Sequence, residues 1–176
     1  MVQPTTTERF EALFRDNYPA VRAYALRRAP GEMAQDVVSE TFLVAWRRLD
    51  DVPADALPWL YGVARRALAN QRRSAGRNAA LEQRLVAEAV PGAAGDPGMR
   101  AGETELMRWA LAQLSEDDRE ALILVAWHGL SGERAARAAG CSRATFAVRL
   151  HRARRRLASR LNSIETSTVP DAVEVG

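Results

Sequence analysis

The chain has 176 residues, 47% of them hydrophobic, which is enough apolar mass for one ordinary domain or two small ones and too much for a disordered polymer. All 25 of its basic residues are arginine, set against 22 acids, so the formal charge of +3 rests on permanent guanidinium groups suited to phosphate. The lone Cys141 excludes an intramolecular disulfide, no second ligand stands at metal spacing around it, "MVQPTTTERF" has no apolar core of a leader, and no run reaches the ~18 apolar residues of a membrane span.

A cytoplasmic protein without metal, cofactor or membrane association is therefore expected. Apolar residues recur at helical spacing and alternating strand-like runs are absent, so the fold class is all-α. The first helix starts near Thr7, turns Phe10, Leu13, Phe14, Val21, Tyr24 and Leu26 inward, and is kinked or interrupted by Pro19. A turn at "APGEM" leads to a second helix from about Met33 to Leu49, whose core stripe is Ala34, Val38, Thr41, Phe42, Ala45 and Leu49. Its opposite face carries Asp36, Glu40, Leu43 and Arg47, flanked by Val44.

The loop "DDVPADALP" follows, and Pro58 launches a third helix, "WLYGVARRALANQRRS", which with its end carries Arg65, Arg66, Arg72, Arg73 and Arg77 and no acid from residue 59 to 77. Residues 81–102 run into "PGAAGDPG", which breaks regular structure and predicts a flexible linker between two small domains. Beyond it, a helix near Glu103 to Leu114 should bury Leu106, Trp109, Ala110, Gln113 and Leu114. Ser115 caps the next, whose "EDD" suits the positive end of a helix dipole, and which ends at Gly129. Ser131 caps a short helix that stops at Gly140, and Ser142 caps a last one running to about Leu161.

Charge is distributed unevenly along these elements. Residues 131–161 hold nine arginines against Glu133, residues 103–120 are net −4, and the tail 162–176 is net −3. A short helix rich in alanine (Ala135, Ala136, Ala139), a Gly-Cys-Ser turn and a basic helix make the pattern of a helix-turn-helix. On the basic helix Phe146, Leu150, Ala153, Leu157 and Leu161 fall within about 80° and form the buried stripe. Ala144, Thr145, Val148, His151, Arg152 and Arg155 then face a DNA groove, while Arg143, Arg149, Arg154 and Arg156 flank the stripe and suit phosphates. A merely solvated arginine-rich helix is the alternative. Cys141 reads as a small apolar residue of the turn, and His128 and His151 have no paired nucleophile or metal set, so no enzyme is expected.

A helix-turn-helix alone leaves repressor, activator and recombinase open. "QDVVSETFLVAWRRLD" followed by "PWLYGVARRALANQRRS" resembles region 2 of the extracytoplasmic-function (ECF, group IV) sigma factors, the small promoter-specificity subunits of bacterial RNA polymerase. "LAQLSEDDREALILVAWHGLSGERAARAAGCSRATFAVRLHRARRRL" is similar to their region 4. The resemblance implies a region 2 domain at 1–80, the linker at 81–102, a region 4 domain at 103–161 and an acidic tail at 162–176. It implies that Asp36, Glu40, Leu43, Val44 and Arg47 meet core polymerase at the clamp helices of its largest subunit, and that region 4 also meets the flap of the second-largest subunit.

By the same resemblance Arg65, Arg66, Asn70, Arg72 and Arg73 contact the −10 promoter element, with Trp59 and Tyr61 as candidates for base stacking and core positions as their alternative. Arg143, Thr145, Val148, Arg149, His151, Arg152, Arg154 and Arg155 contact the −35 element, Val148, His151 and Arg152 matching the base-reading positions. An anti-sigma factor is a further candidate partner. The competing expectation is a free-standing helix-turn-helix regulator with an N-terminal sensing or dimerisation domain.

Overall fold

The computed structural model describes residues 4–82 and 101–167, with side chains placed within 4–75 and 106–163. Among the described residues there are seven α-helices and no strand, as the helical periodicity required. Helix α1 spans Thr6–Leu26. The Thr5 hydroxyl accepts the Glu8 amide at 3.2 Å while the Glu8 carboxylate accepts the Thr5 amide at 2.7 Å, a reciprocal cap that fixes where the helix begins. Helix α1 runs through Pro19 without a break; Pro19 is exposed, where water can satisfy the carbonyl one turn back that proline cannot serve.

Helix α2, Gly31–Arg47, ends two residues before the expected Leu49 and buries Ala34, Val38, Thr41, Phe42 and Ala45 of the expected stripe together with Val37, while Leu49 is buried from the turn that follows. The buried Thr41 hydroxyl returns to its own helix, donating to the Val37 carbonyl at 2.6 Å. A single 3-10 turn at Leu49–Asp51 leads to α3, Ala56–Glu82, which begins two residues before Pro58. Pro58 still sits in the first turn, where an amide proton would have no helical acceptor.

Helix α4 covers Ala101–Ala112, α5 Glu116–Leu122, α6 Gly132–Ala139 and α7 Arg143–Ser167. The backbone after α5 widens into one π-type turn at Ile123–Trp127, so regular α-helix ends before the expected Gly129. Arg119 reaches back to close α4, donating to the carbonyls of Leu111, Ala112 and Leu114 at 2.9–3.3 Å. Trp109 does not point inward as expected: it is 46% exposed, and Gln113 is exposed beside it, because α4 and the turn after it pack on α7 through Leu111 and Leu114. The expected linker lies mostly outside the described residues, of which 81–82 end α3 and 101–102 begin α4. The tail's first residues, 162–167, continue α7.

Helices α1–α3 form one bundle and α4–α7 another, and the two share a continuous core. Val21, Tyr24, Leu60, Tyr61, Ala64 and Leu68 of the first meet Leu124, Leu130, Ala135, Ala138 and Phe146 of the second. Helices α3 and α6 approach closely enough that a Cβ on Gly62 would lie 3.4 Å from the Ala138 carbonyl. At the α6–α7 turn Gly140 has φ +67°, a left-handed conformation that costs other residues about 1–2 kcal/mol. Gly140→Ala should accordingly lower unfolding stability by about 1–2 kcal/mol in urea denaturation, with helical content at room temperature unchanged.

Candidate nucleic-acid and partner interfaces

The helix-turn-helix is set by local hydrogen bonds. The Ser131 hydroxyl accepts the Arg134 amide at 3.4 Å, Gly140 turns the chain, and the Ser142 hydroxyl accepts the Thr145 amide at 3.1 Å. Phe146 and Ala153 are fully buried and Leu150, Leu157 and Leu161 partly so, which rotates the other side of α7 into solvent. Ala144, Thr145, Val148, His151, Arg152 and Arg155 are all exposed, Val148 by 50%. Thr145 also shares a 2.8 Å hydrogen bond with the Ser142 hydroxyl, so its side chain is already oriented.

The flanking arginines divide into two kinds. Among the described residues Arg143, Arg152, Arg154 and Arg155 form no ion pair, whereas Arg149 lies 3.5 Å from Asp117 and Arg156 is bonded to the buried Asp118. The latter two tie α7 to α5. Cys141 is a free, half-buried thiol packed on the core.

On α3 the five candidate residues also separate. Arg66, Asn70 and Arg73 are exposed, with Arg73 donating to the Asn70 side-chain oxygen. Arg72 instead donates to the Arg28 carbonyl at 2.6 Å and pairs with Glu116, and Arg65 lies 4.0 Å from Glu120. Burial, reinforced by the neighbouring Arg28 and Arg119 cations, holds the Arg72 guanidinium below its ordinary pKa. Tyr61 does not offer a free face: it is buried, stacked on Tyr24 at 4.8 Å, and shares a 3.0 Å hydrogen bond with His128 Nδ1. Trp59 is half-buried against the core.

On α2, Asp36, Leu43 and Arg47 are exposed, with Glu40 and Val44 half-exposed between them. Leu43 (47%) and Trp46 (43%) stand out with Phe14 (38%), which was expected inward but only leans on Phe42 and Tyr18. Trp46 makes an edge contact with Phe10 at 5.0 Å. Sequence reasoning missed Trp46, although five successive apolar residues from Phe42 to Trp46 exceed what one helical face can bury.

A fourth cluster, between the two bundles, was not expected. Arg28 donates to the Tyr24 hydroxyl and pairs with Glu120 at 2.8 Å and Glu116 at 2.6 Å, while Tyr24 donates to Glu120 at 2.7 Å. Burial would weaken the Arg28 guanidinium's hold on its proton, but Tyr24 and Glu120 outweigh it and raise its pKa. Burial pushes the Tyr24 hydroxyl up as well. At the far end Arg134 grips Asp55 at 2.7 and 3.0 Å and Arg137 joins at 2.6 Å; the Arg134 hydrogen bonds lower the Asp55 carboxyl's pKa. Glu116 and Glu120 share one face of α5 by their four-residue spacing, but nothing local in the sequence names Tyr24 and Arg28 as their partners.

Among the described residues no three metal-binding side chains are gathered, and no helix is long and apolar enough to cross a membrane. The chain matches the family models "Sigma-70 region 2" over residues 13–78 and "Sigma-70, region 4" over residues 105–157. The ECF RNA polymerase sigma factor EcfG of Rhodopseudomonas palustris is 35% identical over 147 residues, covering 81% of this chain and 80% of its own. SigL of Mycobacterium tuberculosis is 31% identical over 150 residues, covering 83% and 85%. The structure of the sigma factor RpoE in complex with the anti-sigma factor NepR from Bartonella quintana aligns with TM-score 0.71 at 30% identity, over 87% of this chain and 96% of that one. CnrH in complex with the cytosolic domain of CnrY aligns with TM-score 0.62 at 26% identity, over 88% of each chain.

The seam also carries a titratable group. Burial, helped by Arg27, lowers the His128 pKa from 6.5 to about 4. As pH falls the unfolded chain takes up this proton first, so native stability is present above about 6.5 and is lost through the interval down to about 4. His128→Gln should therefore flatten the fall in urea-unfolding stability between about pH 7 and about pH 5, a range in which ordinary carboxylates stay charged.

Proposed function

The chain belongs to the extracytoplasmic-function RNA polymerase sigma factors, and from that premise we propose how its surfaces divide the work of directing core polymerase to promoters. Family membership displaces the free-standing regulator. Residues 1–80 act as the region 2 domain and 103–161 as the region 4 domain, in the cytoplasm where the polymerase works. The protein is a noncatalytic initiation factor: it selects DNA and helps to open it through binding energy, and the polymerase does the chemistry.

The observation that carries the division is that four helices, α2, α3, α4 and α7, expose faces of different composition. The α2 face combines Asp36, Glu40 and Arg47 with the apolar Leu43 and Val44, which suits a polar partner helix such as the clamp helices. The exposed Trp109 of α4 is an apolar anchor of the kind the flap would cover. On α3, Arg66, Asn70 and Arg73 offer charge and hydrogen bonds to separated strands at the −10 element, with Arg65 and Arg72 next to them.

On α7, Val148, His151 and Arg152 read −35 base edges while Arg143, Thr145, Arg154 and Arg155 hold the backbone, and Arg149 supports the helix through Asp117. An anti-sigma factor is a fitting partner, since the RpoE structure, which this chain resembles in shape, is a complex with the anti-sigma factor NepR.

Run-off transcription with purified core enzyme tests the reading: the chain should add initiation at promoters mapped after its overexpression, and a chain that neither binds core nor adds initiation overturns it. Within it, Arg152→Ala should cost about 1–3 kcal/mol of discrimination among −35 sequences, while Arg154→Ala should weaken all promoters alike and reduce the salt slope by about 1. Equal, sequence-blind losses from both would remove Arg152 as a reader. Asp36→Arg should lower core capture in a pull-down by about tenfold or more, and unchanged capture would take Asp36 out of the interface.

A further inference from the structure

Two ion pairs within the second bundle decide which arginines of α7 are free. Arg149 and Arg156 stand seven residues apart, about two turns, so they share one flank of the helix. By helical angle that flank lies about 80–100° from Val148, at the middle of the open face, whereas Arg143 and Arg154 on the other flank lie about 120–140° away. Angle alone would make Arg149 and Arg156 the better placed of the four to meet phosphates beside a groove. Yet these are the two that α5 holds: Asp117 lies 3.5 Å from Arg149, and Asp118 is bonded to Arg156. Among the described residues Arg143 and Arg154 form no ion pair. Complementing the dipole of α5 does not explain the placement of these acids, since any acid of the first turn does that from an exposed position. The Asp118 side chain is instead 6% exposed, and the Arg156 side chain it answers is 59% exposed. Nor does crowding hold Arg156, because a cavity of about 390 Å³ lined by Gln113, Leu114, Ser115, Ser159 and Arg160 opens beside it.

We infer that Asp117 and Asp118 act as a brake on sequence-independent DNA binding, withholding Arg149 and Arg156 from the phosphate backbone while the base-facing residues of α7 stay open. The inference rests on the −35 role proposed for α7. A guanidinium that reaches a phosphate releases counterions whatever the sequence, so it tightens binding to every duplex alike. Random duplex greatly outnumbers any one promoter, and two additional contacts of this kind would hold the chain on it. With the acids in place, backbone contact is left to Arg143, Arg154 and Arg155, and reading to Val148, His151 and Arg152. Asp117 and Asp118 are thus positioning residues, which act through two arginines and touch no base.

The test uses the full chain carrying Asp117→Asn and Asp118→Asn, beside a charge-matched control carrying Glu11→Gln and Asp16→Asn on the exposed side of α1. Fluorescence anisotropy with a labelled duplex of scrambled sequence, over a range of salt, reads affinity and its salt slope. The acid variant should bind about three- to tenfold more tightly than the control, with a salt slope steeper by about 1–2, since each phosphate contact contributes about 0.9. Arg149→Gln with Arg156→Gln should leave the slope of the wild-type chain unchanged, and added to the acid variant should return its slope to the wild-type value. An acid variant indistinguishable from the control overturns the brake. So does a shallower slope from the arginine pair alone, which would mean that these arginines already touch phosphate. Asp117→Asn by itself, at a carboxylate 57% exposed, should steepen the slope by about 1 without disturbing a buried group. Run-off transcription with core enzyme separates this role from a structural one and from the reading it rests on. The acid variant should keep the wild-type preference for a mapped −35 element over a scrambled one, and loss of that preference without a steeper slope makes the acids structural and overturns the brake. A wild-type chain with no −35 preference overturns the −35 role itself, and the slopes then still decide whether α5 withholds the two arginines from duplex.

Discussion

The guanidinium of Arg28 is 3% exposed, and the arrangement of the two bundles follows from where its charge is answered. A cation withdrawn from water costs several kcal/mol unless partners replace the lost hydration. Tyr24, one turn earlier on α1, supplies one acceptor; the remaining partners, Glu116 and Glu120, come from a helix about ninety residues further along the chain. The second bundle must therefore sit with the first turns of α5 over the end of α1. Because Tyr24 donates to Glu120 while accepting from Arg28, the three groups fix one another's orientation, and a rotation of α5 by half a turn would leave both Arg28 and Glu120 unanswered. Such a network adds less to net stability than to the choice of a single register, for its attraction is largely offset by desolvation.

The same short helix resolves a second electrostatic problem. Helices α3 and α7 are both strongly basic, and a compact chain brings them near each other. Helix α5 lies between them with acids on both of its sides: Glu116 and Glu120 turn towards Arg28 and Arg72, while Asp117 and Asp118 turn towards Arg149 and Arg156. The four-residue spacing of Glu116 and Glu120 keeps them on one face, and the adjacent Asp117 and Asp118 fall on the side towards α7. The acidic stretch thus screens the two basic helices from each other, and its position at the start of a helix, where negative charge also complements the dipole, is a smaller benefit.

What was legible in the sequence was what short-range geometry decides. The caps at Ser115, Ser131 and Ser142, the stop at Gly140, the core stripe of α2 and the division of α7 into a buried and an open face all depend on residues within a few positions of each other. What was illegible depended on partners far along the chain. "SEDD" carries no mark that says its acids reach Arg28 and Arg72, nor does Tyr61 show that it stacks on Tyr24 rather than offering its ring to a base. Phe14 and Trp109 fit an inward stripe by angle, yet Phe14 is only partly covered, by Phe42 of α2, and Trp109 stays 46% exposed. The family resemblance supplied the roles of the helices but not the state in which the two bundles meet.

The composition of α6 bears on how close that meeting is. Ala135, Ala136, Ala138 and Ala139 are all buried, because this helix is covered by α7 on one side and by α3 on another. The larger residues of the shared core, Leu60, Leu68, Leu124, Leu130 and Phe146, come from other elements, and each gains about 1.5–3 kcal/mol by full burial. Alanine allows the close approach at Gly62 and the tight helix-turn-helix, yet withdraws little apolar surface from water per residue. Most of the apolar stabilisation between the bundles therefore lies with Tyr24, Leu60, Tyr61, Leu124, Leu130 and Phe146, and α6 contributes closeness of approach. The seam is held in register by its charges, and the alanines of α6 let that helix lie close to α3 and α7 at once.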